Sequence, residues 1–129
     1  FIGLSGRTNA EGAGQLIRIL ENYGMTGETI EIKEMLHLKS GVSYLENDCL
    51  LTQDALFGHP VFRKFNKIRV GYGEDYAANS LWINGTVLVP EGFPETSKNI
   101  EKEGFRTIAL DVSEFEKLDG ALSCLSLRF

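Results

Sequence analysis

A weak internal repeat limits what this chain can fold into more than any other feature. Ser43-Tyr44-Leu45-Glu46-Asn47-Asp48 leads into the apolar run Cys49-Leu50-Leu51. Thirty-seven residues later, Ser80-Leu81-Trp82-Ile83-Asn84-Gly85 leads into Thr86-Val87-Leu88-Val89. Each pair has the pattern of a hairpin closed by a tight Asn-Asp or Asn-Gly turn. A Pro-started helical segment follows each, at Pro60 and at Pro94, because the fixed φ and missing amide of proline suit the first helical turn. Each helix leads into a further strand, 67–71 and 106–110. The expected unit is β-β-α-β, present twice.

The two ends of the chain hold parts of the same unit. Phe1 to Leu4 has strand character, and Thr8-Asn9-Ala10-Glu11 reads as a capping box. Ala13, Leu16, Ile17 and Leu20 recur at helical spacing, with Gly24 as the stop. Thr29 to Lys33 alternates like a strand, so residues 1–34 supply β-α-β, the unit without its first strand. The last residues, Leu122 to Phe129, resemble only a first strand. Two explanations stay open: a circular closure in which the last strand completes the first unit, or half of a larger ring. Phe1 stands where a methionine is usual, and the expectation is a chain that begins inside a longer protein.

Composition narrows the function classes. At 129 residues the length is that of one domain, and 43% apolar with 24% charged residues is ordinary globular usage. Eighteen acids against thirteen Lys and Arg leave a net charge of −5, which disfavours nucleic acid as a partner. The apolar runs are a few residues long where a bilayer span needs roughly 20, so no membrane helix is expected. Cys49 and Cys124 form neither a disulfide framework nor a metal signature, and a cytoplasmic, reducing compartment is the expectation.

Few side chains can carry chemistry. Cys124, on an expected strand between Ser123 and Ser126, is either a buried core thiol or a nucleophile, which needs a lowered pKa or a nearby base. That base can only be His37 or His59, and His59, ahead of Pro60, suits a helix cap. His37 lies in Leu36-His37-Leu38-Lys39-Ser40 and is either a half-buried structural histidine or the base. Cys49, on an apolar strand, reads as core. Arg7, in the loop before the first helix, can hold a carboxylate by a bidentate pair or make a surface ion pair. Glu101, Glu103, Glu114 and Glu116 read as solvated faces. A papain-like enzyme also pairs Cys with His, but there the Cys comes first and opens a helix, the reverse of the order here.

Leu4-Ser5-Gly6-Arg7-Thr8-Asn9, Leu36-His37-Leu38-Lys39-Ser40, Tyr76-Ala77-Ala78-Asn79 and Leu118-Asp119-Gly120-Ala121-Leu122-Ser123-Cys124 together resemble the bacterial dimethylarginine dimethylaminohydrolases of the guanidino-group-modifying, or amidinotransferase, superfamily. The similarity runs along essentially the whole chain. It implies an α/β propeller (pentein), a ring of five ββαβ units, of which 1–129 would be the C-terminal half. It further implies Cys124 as nucleophile, His37 as general acid/base, Arg7 as the partner of the substrate α-carboxylate and the Leu118 carbonyl as acceptor for the α-amino group. The implied reaction is hydrolysis of methylated arginine to citrulline through a thiouronium on Cys124, with no metal or organic cofactor. The family's guanidinium-binding acids, the acid orienting the histidine and a second arginine belong to the missing N-terminal half. Association with that half, or self-association, is therefore expected. An arginine deiminase-like or other guanidine hydrolase, and a non-catalytic half-ring fragment, remain the alternatives.

Overall fold

Two ββαβ units, the pattern expected from the repeat, recur in a computed structural model that describes residues 1–33 and 35–127. The chain divides into two compact units, Phe1–Ser40 and Gly41–Phe129.

In the first unit, β1 (Ile2–Leu4) and β2 (Thr29–Glu31) pair in parallel, joined by helix α1 (Ala10–Glu21). Ile30 and Ile32 are buried and their neighbours exposed, which is the alternation that marked this strand. The helix cap differs from expectation. Thr8 exchanges both backbone hydrogen bonds with Ser5, and Asn9, extended at φ −95°, takes the cap and accepts from the Gly12 amide at 2.8 Å. The helix ends as expected at Gly24, φ +73°. The Met25 amide reaches the Leu20 carbonyl and the Gly24 amide that of Glu21, a Schellman pattern.

The second unit contains the two repeats. In one, β3 (Val42–Tyr44) and β4 (Cys49–Thr52) are antiparallel, and β5 (Asn66–Arg69) lies parallel to β4 after helix α2 (Asp54–Phe57). In the other, β6 (Leu81–Ile83) and β7 (Thr86–Pro90) are antiparallel, and β8 (Arg106–Leu110) lies parallel to β7 after α3 (Pro94–Lys102). Both repeats contribute to one core, with Leu51 and Ile68 from the first and Val87, Val89 and Ile100 from the second. The sheets are mixed, and none closes on itself among the described residues.

Three expectations about these repeats need correction. The second hairpin has the expected two-residue turn, Asn84 at φ +48° and Gly85 at φ +79°. The first does not: Leu45 still pairs with Cys49, leaving Glu46, Asn47 and Asp48 as a loop with all three φ positive. Without glycine, Asn-Asp does not reproduce the tight turn. The helical segment at Pro60 is only a 3₁₀ turn, Pro60–Phe62, because α2 ends ahead of it. Proline holds His59 extended at ψ +130° and so separates the two pieces. Finally, residues 122–127 are no strand: 122–125 form a turn in which the Cys124 amide bonds the Ala121 carbonyl at 2.9 Å. A strand needs a ladder partner, and here local carbonyls take the Cys124 and Leu125 amides instead. Arg128 and Phe129, the end of that expected strand, lie outside the described residues, as does residue 34. The last strand that a circular closure needs is accordingly absent among the described residues 122–127.

Helix α3 lacks a cap from its own N-cap residue, Phe93. The Glu74 carboxylate supplies it from a preceding loop, accepting from the Glu95 amide at 3.1 Å and the Thr96 amide at 2.6 Å. The Gly71 amide donates to Thr96 Oγ1 at 2.9 Å, so loop and helix end are close. A Cβ at residue 71 would stand 2.5 Å from Glu95 Cβ and 2.6 Å from a Glu74 carboxylate oxygen. Gly71→Ala should therefore destabilise the protein by about 1–3 kcal/mol through overpacking, read as a lower denaturant midpoint at unchanged m-value.

Candidate functional site

Arg7, His37, Leu118 and Cys124 each lie beyond the carboxyl end of a strand in a parallel pair. That is the side on which open α/β sheets bind ligands. Arg7 follows β1, His37 follows β2, and Leu118 and Cys124 follow β8.

In the first unit one hydroxyl organises two of these segments. Ser5 Oγ accepts from the Arg7 amide at 3.1 Å and donates to the Leu36 carbonyl at 2.8 Å. It thereby joins the loop bearing Arg7 to the residue before His37. The His37 carbonyl accepts from the Ser40 amide at 3.0 Å and opens a 3₁₀ turn, Leu38–Ser40. Leu38 packs so closely on β1 that a Cβ at Gly3 would lie 2.9 Å from its own Cβ. The Arg7 and His37 side chains are exposed, and Arg7 makes no ion pair among the described residues. The surface ion pair considered for Arg7 is absent there.

In the second unit, helix α4 (Ser113–Glu116) ends in a Schellman pattern. Asp119 sits at φ +58°, its amide bonds the Glu116 carbonyl, and the Gly120 amide bonds that of Phe115. Leu118, one residue earlier, is 85% exposed, and no hydrogen bond to its carbonyl occurs among the described residues. Ala121 and Leu122 then turn inward and are buried, and Cys124 emerges exposed.

Two side chains from the 76–79 segment hold this turn. Tyr76 donates its hydroxyl to the Gly120 carbonyl at 2.6 Å, and buried Asn79 accepts the Ser123 amide on Oδ1 at 3.0 Å. Burial first, then the charges of Glu116 and Cys124, push the Tyr76 pKa above its ordinary value, so the phenol keeps the proton it donates. The sequence signals for Tyr76 and Asn79 are only their membership of the quoted motifs, and Ser5-Gly6 ahead of a helix suggests at most a weak anion loop; a hydroxyl or amide bonding distant backbone leaves no periodic trace.

The other titratable candidates are accounted for. His59 caps the Pro60–Phe62 turn, its Nδ1 accepting from the Val61 amide at 3.3 Å, and its ring packs on Phe62. Cys49 is buried in the core; burial and, secondarily, the charge of Glu103 push its thiol pKa up. Glu101, Glu103, Glu114 and Glu116 are exposed, as expected. A cleft of about 310 Å³ is lined by Glu46, Trp82, Gly85, Glu103 and Phe105. By the strand register it lies at the hairpin-turn end of the β6–β7–β8 sheet, away from Asn79 and the Cys124 turn. No group of three metal-binding side chains and no helix long and apolar enough to cross a membrane occurs among the described residues.

No protein-family model matches the chain. A dimethylarginine dimethylaminohydrolase of Pseudomonas aeruginosa is 46% identical over all 129 residues, which cover 51% of its length. A structure of that protein, as a cysteine-to-serine variant complexed with citrulline, superposes with a TM-score of 0.94 over 98% of this chain and 50% of its own. A second dimethylarginine dimethylaminohydrolase, from Streptomyces coelicolor, is 31% identical over 99% of this chain and 49% of its length. The N-terminal domain of a cyanobacterial arginine dihydrolase shares the fold at 21% identity and a TM-score of 0.80, over 98% of this chain and 49% of its own. The chain spans about half the length of the curated relatives it matches.

The contrast between the two thiols is directly measurable. Brief iodoacetamide treatment of the folded protein should modify Cys124 and spare Cys49, with both modified after denaturation, as read by peptide mass spectrometry.

Proposed function

The chain is homologous along its whole length to half of a dimethylarginine dimethylaminohydrolase, and from that premise we propose that the protein hydrolyses Nω-methylated arginine to citrulline and methylamine or dimethylamine. The observation that carries this reading is the 46% identity over every residue of the chain, together with the 0.94 superposition on a citrulline complex. Residues 1–129 are then the C-terminal half of an α/β propeller, a ring of five ββαβ units whose other half supplies the remaining blades.

Cys124 is the nucleophile. The guanidinium carbon is a poor electrophile because resonance spreads its charge, so a thiolate is required. An ordinary thiol, with a pKa of ~8.5, is mostly protonated at neutral pH. The bound cation favours the thiolate, since an adjacent positive charge stabilises the anion. Sulfur attacks the guanidinium carbon and the bond to the methylated nitrogen breaks. His37, as imidazolium, gives its proton to the departing amine. A thiouronium remains on Cys124. Neutral His37 then takes a proton from water, whose oxygen bonds the same carbon. The carbon–sulfur bond breaks, thiolate and imidazolium are restored, the added hydroxyl gives its proton to solvent as the carbonyl forms, and citrulline leaves. Arg7 holds the α-carboxylate by a bidentate pair, and the Leu118 carbonyl accepts from the α-amino group. The exposure of Cys124, His37 and Arg7 and the cap role of His59 support these assignments.

The acids that grip the guanidinium belong, on this reading, to the other half. Removing partners of a buried charge costs several kcal/mol, and about 4 kcal/mol is roughly a thousandfold in rate. The decisive experiment is citrulline release from dimethylarginine by residues 1–129, by the upstream half, and by both mixed. Activity is expected in the mixture and is negligible in either half alone. Full-rate turnover by 1–129 alone overturns the division of the site, and preference for unmethylated arginine replaces the substrate assignment with a deiminase. In the whole enzyme, Cys124→Ser should abolish turnover and Cys49→Ser should retain it; equal losses would remove Cys124 as sole nucleophile.

A further inference from the structure

The turn that presents Cys124 has no sheet ladder to hold it, yet two of its peptide groups are pinned from outside. The Gly120 carbonyl accepts the Tyr76 hydroxyl at 2.6 Å, and the Ser123 amide donates to Asn79 Oδ1 at 3.0 Å. Between them, Ala121 and Leu122 are buried, and the Cys124 amide folds back on the Ala121 carbonyl. We propose that Tyr76 and Asn79 are positioning residues that fix the Cys124 thiol for attack, an inference resting on Cys124 being the nucleophile.

The support for these two side chains is unusually complete. The 3₁₀ turn Asp75–Ala78 carries Tyr76 and runs directly into Asn79. Its carbonyls are claimed from several directions: Asp75 by Gln53 Nε2 at 3.0 Å, Ala77 by Ser80 Oγ at 2.8 Å, and Ala78 by Ser43 Oγ at 2.6 Å. Glu74, immediately before the turn, is fixed on the N-terminus of α3. The Tyr76 ring packs against Phe93 with centroids 5.6 Å apart, and Asn79 is only 5% exposed. Bonds and packing of this kind restrict the segment, and its two polar tips extend that restriction to the turn beside them. A ~1 Å misplacement of a reacting group can cost about a hundredfold in rate, which is the scale on which such a clamp acts.

A positioning role and a merely structural one differ in what they change. Losing a structural hydrogen bond lowers stability and leaves a folded enzyme with its kcat intact. Losing a clamp on the nucleophile lowers kcat in folded protein while substrate affinity persists. In the whole enzyme, Tyr76→Phe should lower kcat for dimethylarginine about tenfold, and Asn79→Ala about a hundredfold, with KM within about twofold of the parent. Tyr76→Phe removes a single oxygen, so it decides the matter if Asn79→Ala does not fold. A substrate-free arm separates this proposal from the assigned reaction: ¹⁹F NMR of protein labelled at Cys124 with bromotrifluoroacetone. The parent should give one narrow resonance, and both variants broadened or multiple ones. Absence of dimethylarginine turnover by the parent would refute the assigned reaction, and the ¹⁹F spectra would still decide the clamp. Parent-like spectra, or parent-like kcat, in folded Tyr76→Phe and Asn79→Ala overturn it.

Discussion

The carboxylate of Glu74 on the amides of Glu95 and Thr96 is the contact on which the order of the second unit's site-bearing segment depends. A helix start leaves amides without partners, and a negative charge there satisfies them and complements the helix dipole. In most helices a residue at the helix's own start does this. Here the cap comes from a loop twenty-one residues earlier, so the bond also fixes a tertiary arrangement. It sets the beginning of the 75–78 turn, and that turn sets Tyr76 and Asn79. Gly71 belongs to the same arrangement, because any side chain there would occupy the space of the Glu74 carboxylate.

The first unit uses the same logic on a smaller scale. A single hydroxyl, Ser5 Oγ, spans the exit of β1 and the segment that follows β2, two places thirty-one residues apart in sequence. Gly3 lets Leu38 approach β1 backbone to backbone. In both units the strands bring the candidate residues to one side of a sheet, and side-chain-to-backbone bonds then set the local path of the chain.

Most of the fold was legible because it is periodic. β8 spans the expected residues, 106–110, and the alternation of Ile30 and Ile32 marked β2. What failed was local competition that periodicity does not record. Thr8 lost the cap to Asn9 because its backbone was already committed to Ser5. Within the strand expected over Leu122–Phe129, residues 122–125 form a turn because their amides bond neighbouring carbonyls and the Asn79 side chain. The burial of Cys49 and the cap role of His59 followed from their neighbours in sequence, an apolar strand and a proline. The turn that carries exposed Cys124 could not be read that way, since two of its peptide groups bond Tyr76 and Asn79, more than forty residues distant.

The Cys124 turn hangs from side chains and is not woven into a sheet, and this divides the sequence into two kinds of position. Backbone ladders form whichever apolar residue sits in a strand, so volume-conserving exchanges among Val, Ile and Leu on the less buried positions of β6, β7 and β8 leave the sheet in place. The suspending atoms admit no such freedom, because only a phenol of that reach touches Gly120 and only a short side-chain acceptor meets the Ser123 amide. Exchanges in the strands act on the sheets, whereas an exchange at 76 or 79 acts first on the two bonds that hold the Cys124 turn. The local path of the 120–124 segment and the integrity of the sheets thus rest on different sets of atoms.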